Sequence, residues 1–176
     1  MQTLTTPRLL LLPLSKPMIA ARLAGDDFTL ECDLLGEIAP VHFGPEWPGD
    51  ILSSFPTLIH TLPEFGVVDR SYVIVDRAGR EAIGQMGTKG CLDPDGGAEI
   101  GYGVNKSLWG AGYATEAVRA LCTELLADPE ITRITAETVA DNVASQRVLE
   151  KIGFTRAGSG WTDDDGDLIL WSLREN

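Results

Sequence analysis

Ala98-Glu99-Ile100-Gly101-Tyr102-Gly103-Val104-Asn105-Lys106-Ser107-Leu108-Trp109-Gly110-Ala111-Gly112-Tyr113-Ala114-Thr115-Glu116-Ala117 decides the fold. Ile100, Tyr102 and Val104 alternate with Glu99, Gly101 and Gly103, which is the two-residue period of a strand. A short polar turn, Asn105 to Ser107, leads to Trp109-Gly110-Ala111-Gly112. Beyond it Ala114, Ala117, Val118, Leu121, Cys122, Leu125 and Leu126 recur at three- and four-residue spacing, one face of an amphipathic helix. The unit is strand, glycine-rich turn, helix.

A helix begins with backbone N–H groups that have no partner within it, and the macrodipole adds partial positive charge there. Gly110 and Gly112 carry no side chains, so an anion can approach the amides of Gly110 to Thr115. A phosphate or pyrophosphate suits this place. Tight packing of helix on strand would use the same glycines. Neither the Gly-x-x-x-x-Gly-Lys-Ser/Thr loop nor Rossmann glycine spacing is present.

Outward from this centre, the remaining chain reads as more strands and helices. Thr6 to Leu14 is an opening strand with Pro13 near its end. Met18–Ala24 and Phe28–Leu35 are expected as short helices, with cap or turn chemistry from Asp26 and Asp27. Ala39–Asp50, rich in proline and glycine, is expected as a loop. Its His42, Phe43 and Trp47 would either line a pocket or anchor that loop. Ile51–Leu62 is expected as a helix ended by Pro63. Ser71–Asp76 and Glu81–Thr88 form a hairpin, and Asp93-Pro94-Asp95-Gly96-Gly97 turns into the central strand. After Asp128-Pro129 breaks the long helix, Ile131, Ile134, Ala136 and Val139 mark a strand parallel to that through Glu99. Asn142 to Phe154 holds a second helix, capped by Asp141 or Asn142 and ended by Gly153 at its left-handed C′ position, with strand again from Phe154 onward. Asp163 to Asp167 is better explained as a hairpin turn than as a calcium loop.

The two motifs together resemble the GNAT acetyltransferases. Trp109-Gly110-Ala111-Gly112-Tyr113-Ala114-Thr115-Glu116-Ala117 looks like the acyl-CoA loop of the RimJ/RimL-type subgroup, the bacterial enzymes that acetylate ribosomal-protein N termini. Asn142-x-x-Ser145-x-x-x-Leu149-Glu150-Lys151-x-Gly153-Phe154 follows one strand later, as in that family. The resemblance runs from the Thr6 strand to the closing hairpin and is strongest over Glu99–Phe154. Two positions depart from the pattern. Leu12 stands where an arginine is usual before the proline, and Ser107 where many loops carry Gln or Arg.

The resemblance implies an α+β GNAT fold in one acyl-CoA N-acyltransferase domain over residues 1–176. Its sheet would be mixed and mostly antiparallel, with a splayed parallel βαβ unit and helices on both faces. It implies acetyl-CoA as cosubstrate and direct attack by a primary amine, from a protein N terminus or a small molecule. Backbone groups of Gly103 and Val104 and the side chain of Asn142 would bind the pantetheine arm. The amides of Gly110, Ala111, Gly112, Tyr113, Ala114 and Thr115 would hold the pyrophosphate. Glu99 is the candidate base, directly or through water, or else a structural glutamate. Ser145 is the candidate donor to the departing thiolate, or else a locally satisfied helix serine. Tyr102 and Tyr113 fit packing or cofactor contact. A non-catalytic acyl-CoA sensor on the same fold, or a nucleotide-phosphate module, are the rival classes; the latter lacks a loop lysine. Residues deciding the acceptor would lie in Phe28–Phe65 and Arg156–Asp167, where no specific code is legible.

Composition bounds the rest. The chain has 176 residues, 44% hydrophobic and 23% charged, which suits one compact core. Its net charge of −12 disfavours nucleic acid as a partner; it can attract a cationic amine, or more simply keeps the chain soluble. Cys32, Cys91 and Cys122 lack metal-site spacing, so no disulfide and no metal are expected. No apolar run is long enough to span a bilayer and no signal-peptide pattern is read, so a cytoplasmic protein without membrane partners is expected.

Overall fold

A computed structural model describes residues 1–64 and 66–174. Phe65, which closes the first of the two acceptor-deciding stretches, lies outside the described residues. The chain forms two compact units, one of residues 1–87 with 102–113 and one of residues 88–101 with the chain from 114 onward.

In the first unit, Leu4–Thr5 (β1), Leu9–Ser15 (β2), Val67–Asp76 (β5) and Glu81–Thr88 (β6) pair in that order, antiparallel throughout. Leu9, Leu10, Leu11 and Leu12 are all buried. An unbroken apolar run is what a strand covered on both faces requires. At Pro13 the β2–β5 register slips, as a residue without an N–H allows. Lys16–Ala24 forms helix α1, with proline in its first turn.

Three expectations in this unit are corrected. Phe28–Asp33 is a strand (β3), not a helix, paired antiparallel with Ile38–Phe43 (β4). The alternation of Phe28, Leu30 and Cys32 toward the core carries the strand, and the Leu30/Leu34 spacing had imitated a helix. β4 overlaps the stretch read as a loop, from Ala39 to Phe43. Pro40 is tolerated because β6 pairs with β4 only at His42 and Phe43. Phe43 and Trp47 are fully buried and pack with Phe28 and Phe55, which supports the anchoring role. Half-exposed His42 bonds Asp27. The expected helix over Ile51–Leu62 is a 3-10 turn, Gly49–Ser54, followed by α2, Phe55–Thr61. Pro56 restarts it, since proline fits only a first turn.

In the second unit, the first half of Gly97–Val104 (β7) pairs parallel with Arg133–Val139 (β8), from Gly97↔Arg133 to Ile100↔Ala136. Gly166–Leu173 (β10) runs antiparallel to β8, and Thr155–Thr162 (β9) antiparallel to β10. The acidic stretch after Thr162 is therefore a hairpin turn. Tyr113–Leu126 (α3) is the crossover of the βαβ unit and buries Ala117, Val118, Leu121, Cys122 and Leu125. Val143–Ile152 (α4) is capped by Asn142 and closed by Gly153 at φ +115. The fold class is α+β, mostly antiparallel, as read. Among the described residues no helix is long and apolar enough to cross a membrane.

Candidate active site

Three sets of residues carry the chemistry expected of the chain. The first is the loop between β7 and α3, within the first unit up to Tyr113. Asn105 leaves the strand with its N–H donating to the Ile83 carbonyl at 2.8 Å. Ser107 donates through its N–H and Oγ to the Glu46 carboxylate at 3.4 and 3.5 Å. The Trp109 indole N–H turns back and donates to the Val104 carbonyl at 2.7 Å, with 63% of the residue still exposed. Gly110 and Gly112 follow at φ +81 and +82, a conformation in which side chains are strained. Gly110, Ala111 and Gly112 are exposed, and a Cβ built on Gly103 or Gly110 would meet nothing within 4 Å.

With Tyr113 as the first residue of α3, the amides from Gly112 to Thr115 precede the helix's own hydrogen-bond ladder. Left-handed glycines, open backbone and a helix N-terminus fit an approaching pyrophosphate. Arg8, just before β2, joins this loop. Its Nη1 donates to the Ala111 carbonyl at 2.9 Å, and its guanidinium lies 4.3 Å from the Tyr113 ring centroid.

The second set centres on Glu99. Its Oε1 lies 2.9 Å from Lys89 Nζ. The Lys89 stem passes over Gly101, where a Cβ would come within 3.0 Å of Lys89 Cε. A side chain at Gly101 would crowd the Lys89 stem, whereas Gly103 borders open space. Nearby, the Asp93 carboxylate accepts from the amides of Gly97 and Asp95 and pairs with Arg133. The Gly97 amide above all holds its pKa below the usual 3.8.

The third set is the start of α4. Asn142 Oδ1 accepts from the Ser145 N–H at 3.1 Å, capping the helix. The Ser145 hydroxyl stands on the first turn and is half-buried. The structure ties the end of β7, Gly103 and Val104, to the Gly110–Gly112 loop through the Trp109–Val104 bond, places Asn142 with Ser145 in one cap, and pairs Glu99 with a lysine. Two cysteines are chemically quiet, because burial pushes the thiols of Cys32 and Cys122 up to about 11 and about 12.

Sequence reasoning missed Lys89 and Arg8. Opposite charges facing across a hairpin could have exposed the first. No local signal exists for the second, 103 residues from its partner.

The family model for the acetyltransferase (GNAT) domain matches residues 60–155, more than half of the chain, and the chain belongs to that family. The match takes in both motifs. The chain is 40% identical over 84 residues to an uncharacterized N-acetyltransferase of Bacillus subtilis, YjdG, covering 48% of this chain and 50% of that one. It is 42% identical over 72 residues to an aminoglycoside N(6')-acetyltransferase type 1 of Klebsiella pneumoniae, covering 41% and 36%. The chain thus spans half or less of the length of these two relatives. In fold it matches RimL, a ribosomal L7/L12 α-N-protein acetyltransferase solved in complex with coenzyme A. The TM-score is 0.65 over 98% of both chains, at 18% identity.

Proposed function

We propose that residues 1–176 form one acyl-CoA N-acyltransferase domain that acetylates a primary amine at the expense of acetyl-CoA. The observation that carries this is the Gly110–Gly112 loop. Two exposed left-handed glycines open onto the first-turn amides of a 14-residue helix in a GNAT chain. Acetyl-CoA would supply a thioester carbonyl open to attack. Amides of Gly110, Ala111, Gly112, Tyr113, Ala114 and Thr115 would hold its pyrophosphate. Backbone groups of Gly103 and Val104 and the Asn142 side-chain NH₂ would bond its pantetheine arm.

Glu99 would take the proton of the incoming amine. An alkyl ammonium with a pKa of about 10.4 is almost wholly protonated near neutrality, so a base is required. Lys89 holds Glu99 through Oε1, at 2.9 Å. The Ser145 hydroxyl would donate to the departing sulfur. The acceptor is a protein N terminus or a small amine. The first is supported by the fold likeness to RimL and the second by the sequence likeness to an aminoglycoside enzyme.

Calorimetric titration with acetyl-CoA, coenzyme A and ATP tests the reading, wild type beside Gly112→Glu. Micromolar acetyl-CoA binding, abolished in a folded Gly112→Glu protein, is the expected result. A wild type that ignores acetyl-CoA would sink it. Thiol release with a ribosomal N-terminal peptide, kanamycin and spermidine then separates the acceptors.

A further inference from the structure

We propose that Arg8 is a positioning residue for the anion-binding loop, holding the Ala111–Gly112 peptide plane so that its N–H, not its carbonyl, faces the ligand. The inference rests on the acyl-CoA reading for the ligand's identity, and on geometry within the first unit for the rest.

A trans peptide directs its C=O and its N–H to opposite sides. The Arg8 Nη1 bond to the Ala111 carbonyl, at 2.9 Å, therefore also sets the direction of the Gly112 N–H, away from the guanidinium. That orientation has a competitor. Rotating the plane by half a turn would change Gly112 from φ +82 to the mirror side, and glycine accepts both. The flipped plane would present the Ala111 carbonyl, a partial negative charge, where the Gly112 amide had been. A loop made open by glycine is for the same reason loose.

The Arg8 side chain is itself held. Its guanidinium lies over the Tyr113 ring with Cζ 4.3 Å from the centroid. Nη2 lies 3.5 Å from where a Gly112 Cβ would stand, so the fork rests directly against the plane it controls. Arg8 touches the far side of the loop and acts on the ligand through the Gly112 amide. Its planar fork, rather than its charge alone, is what the position requires.

The test compares wild type with Arg8→Met and Arg8→Lys, each checked for folding by circular dichroism. In the ligand-free proteins, ¹⁵N relaxation dispersion at Gly112 reads the plane directly. A flat profile is expected in wild type and exchange on the microsecond-to-millisecond scale in Arg8→Met. Calorimetry with coenzyme A should show Arg8→Met weakened about tenfold, the equivalent of one charge-assisted hydrogen bond. The KM for acetyl-CoA should rise more than kcat falls. Arg8→Lys, with a donor but no planar group to stack, should fall between the two in both readouts. Flat dispersion and wild-type affinity in a folded Arg8→Met protein would overturn the proposal. Full rescue by lysine in both readouts would do so too, because charge alone would then suffice. Should wild type fail to bind coenzyme A, the acetyl-CoA reading falls, and the dispersion profiles still decide whether Arg8 holds the loop.

Discussion

The N-termini of α3 and α4 are built to opposite ends. At α4 the side chain of Asn142 accepts from the Ser145 amide, so the helix start is satisfied from within the chain. At α3 the position equivalent to Asn142 is Gly112, which like Gly110 two residues before it is left-handed, exposed and without a side chain to turn inward. A cap stabilises a helix by about 1 kcal/mol relative to alanine. Forgoing one leaves donors for something else. The same contrast divides two carboxylates of the second unit. Asp93 is occupied by the Gly97 and Asp95 amides and by Arg133, while Glu99 gives Lys89 only one oxygen.

The strongest way to break this comparison is to close the open helix start. Gly112→Glu should reduce acetyl-CoA binding by about a hundredfold or more, since a carboxylate would repel the pyrophosphate and claim its amides. Unchanged affinity in calorimetry would mean the open amides serve packing. Next in size, Glu99→Gln should lower kcat by about a hundredfold with a smaller change in acceptor KM, as loss of a general base predicts. An unaltered kcat would assign Glu99 to structure.

Smaller again, Asn142→Ala should destabilise the fold by about 1 kcal/mol in urea melts, whereas Asn142→Asp, which keeps the cap, should not. A silent Asn142→Ala would show that α4 draws nothing from its cap. The smallest effect concerns Asp93. Its folded pKa lies below its ordinary 3.8, so its contribution is present above that value and is lost as pH falls through the folded one. Asp93→Asn should therefore lower the melting temperature at pH 7, and the gap to wild type should close in acid. A gap constant with pH would discard the charge-based account.

What the sequence made legible was local. The period changes from two to about 3.6 across the Gly110–Gly112 turn, so β7, the loop and α3 could be read from twenty consecutive residues. Asn142 and Gly153 likewise mark the two ends of α4 at close range. β3 and β4 were misread because their pairing is what reveals them. Leu30 and Leu34 suit a helix as well as a strand, and Pro40 suggests a loop until its place in the hairpin is known. Of the candidate site, the glycines, the cap and Glu99 are legible in local sequence. Lys89 and Arg8 are not, since each acquires its role only through a partner brought close by strand register or by folding across most of the chain.

The division of the chain into its two units has a consequence for how it can be made and changed. The backbone passes between them after Gly87, after Gly101 and after Tyr113. On the ribosome the first unit stays incomplete until residue 113 has emerged, although the second is already begun at Thr88. No single break in the polypeptide separates the two, so neither can be lost, exchanged or fused elsewhere as one continuous segment. The short piece from Tyr102 to Tyr113, which holds the glycine loop, belongs to the first unit but lies in sequence between two stretches of the second.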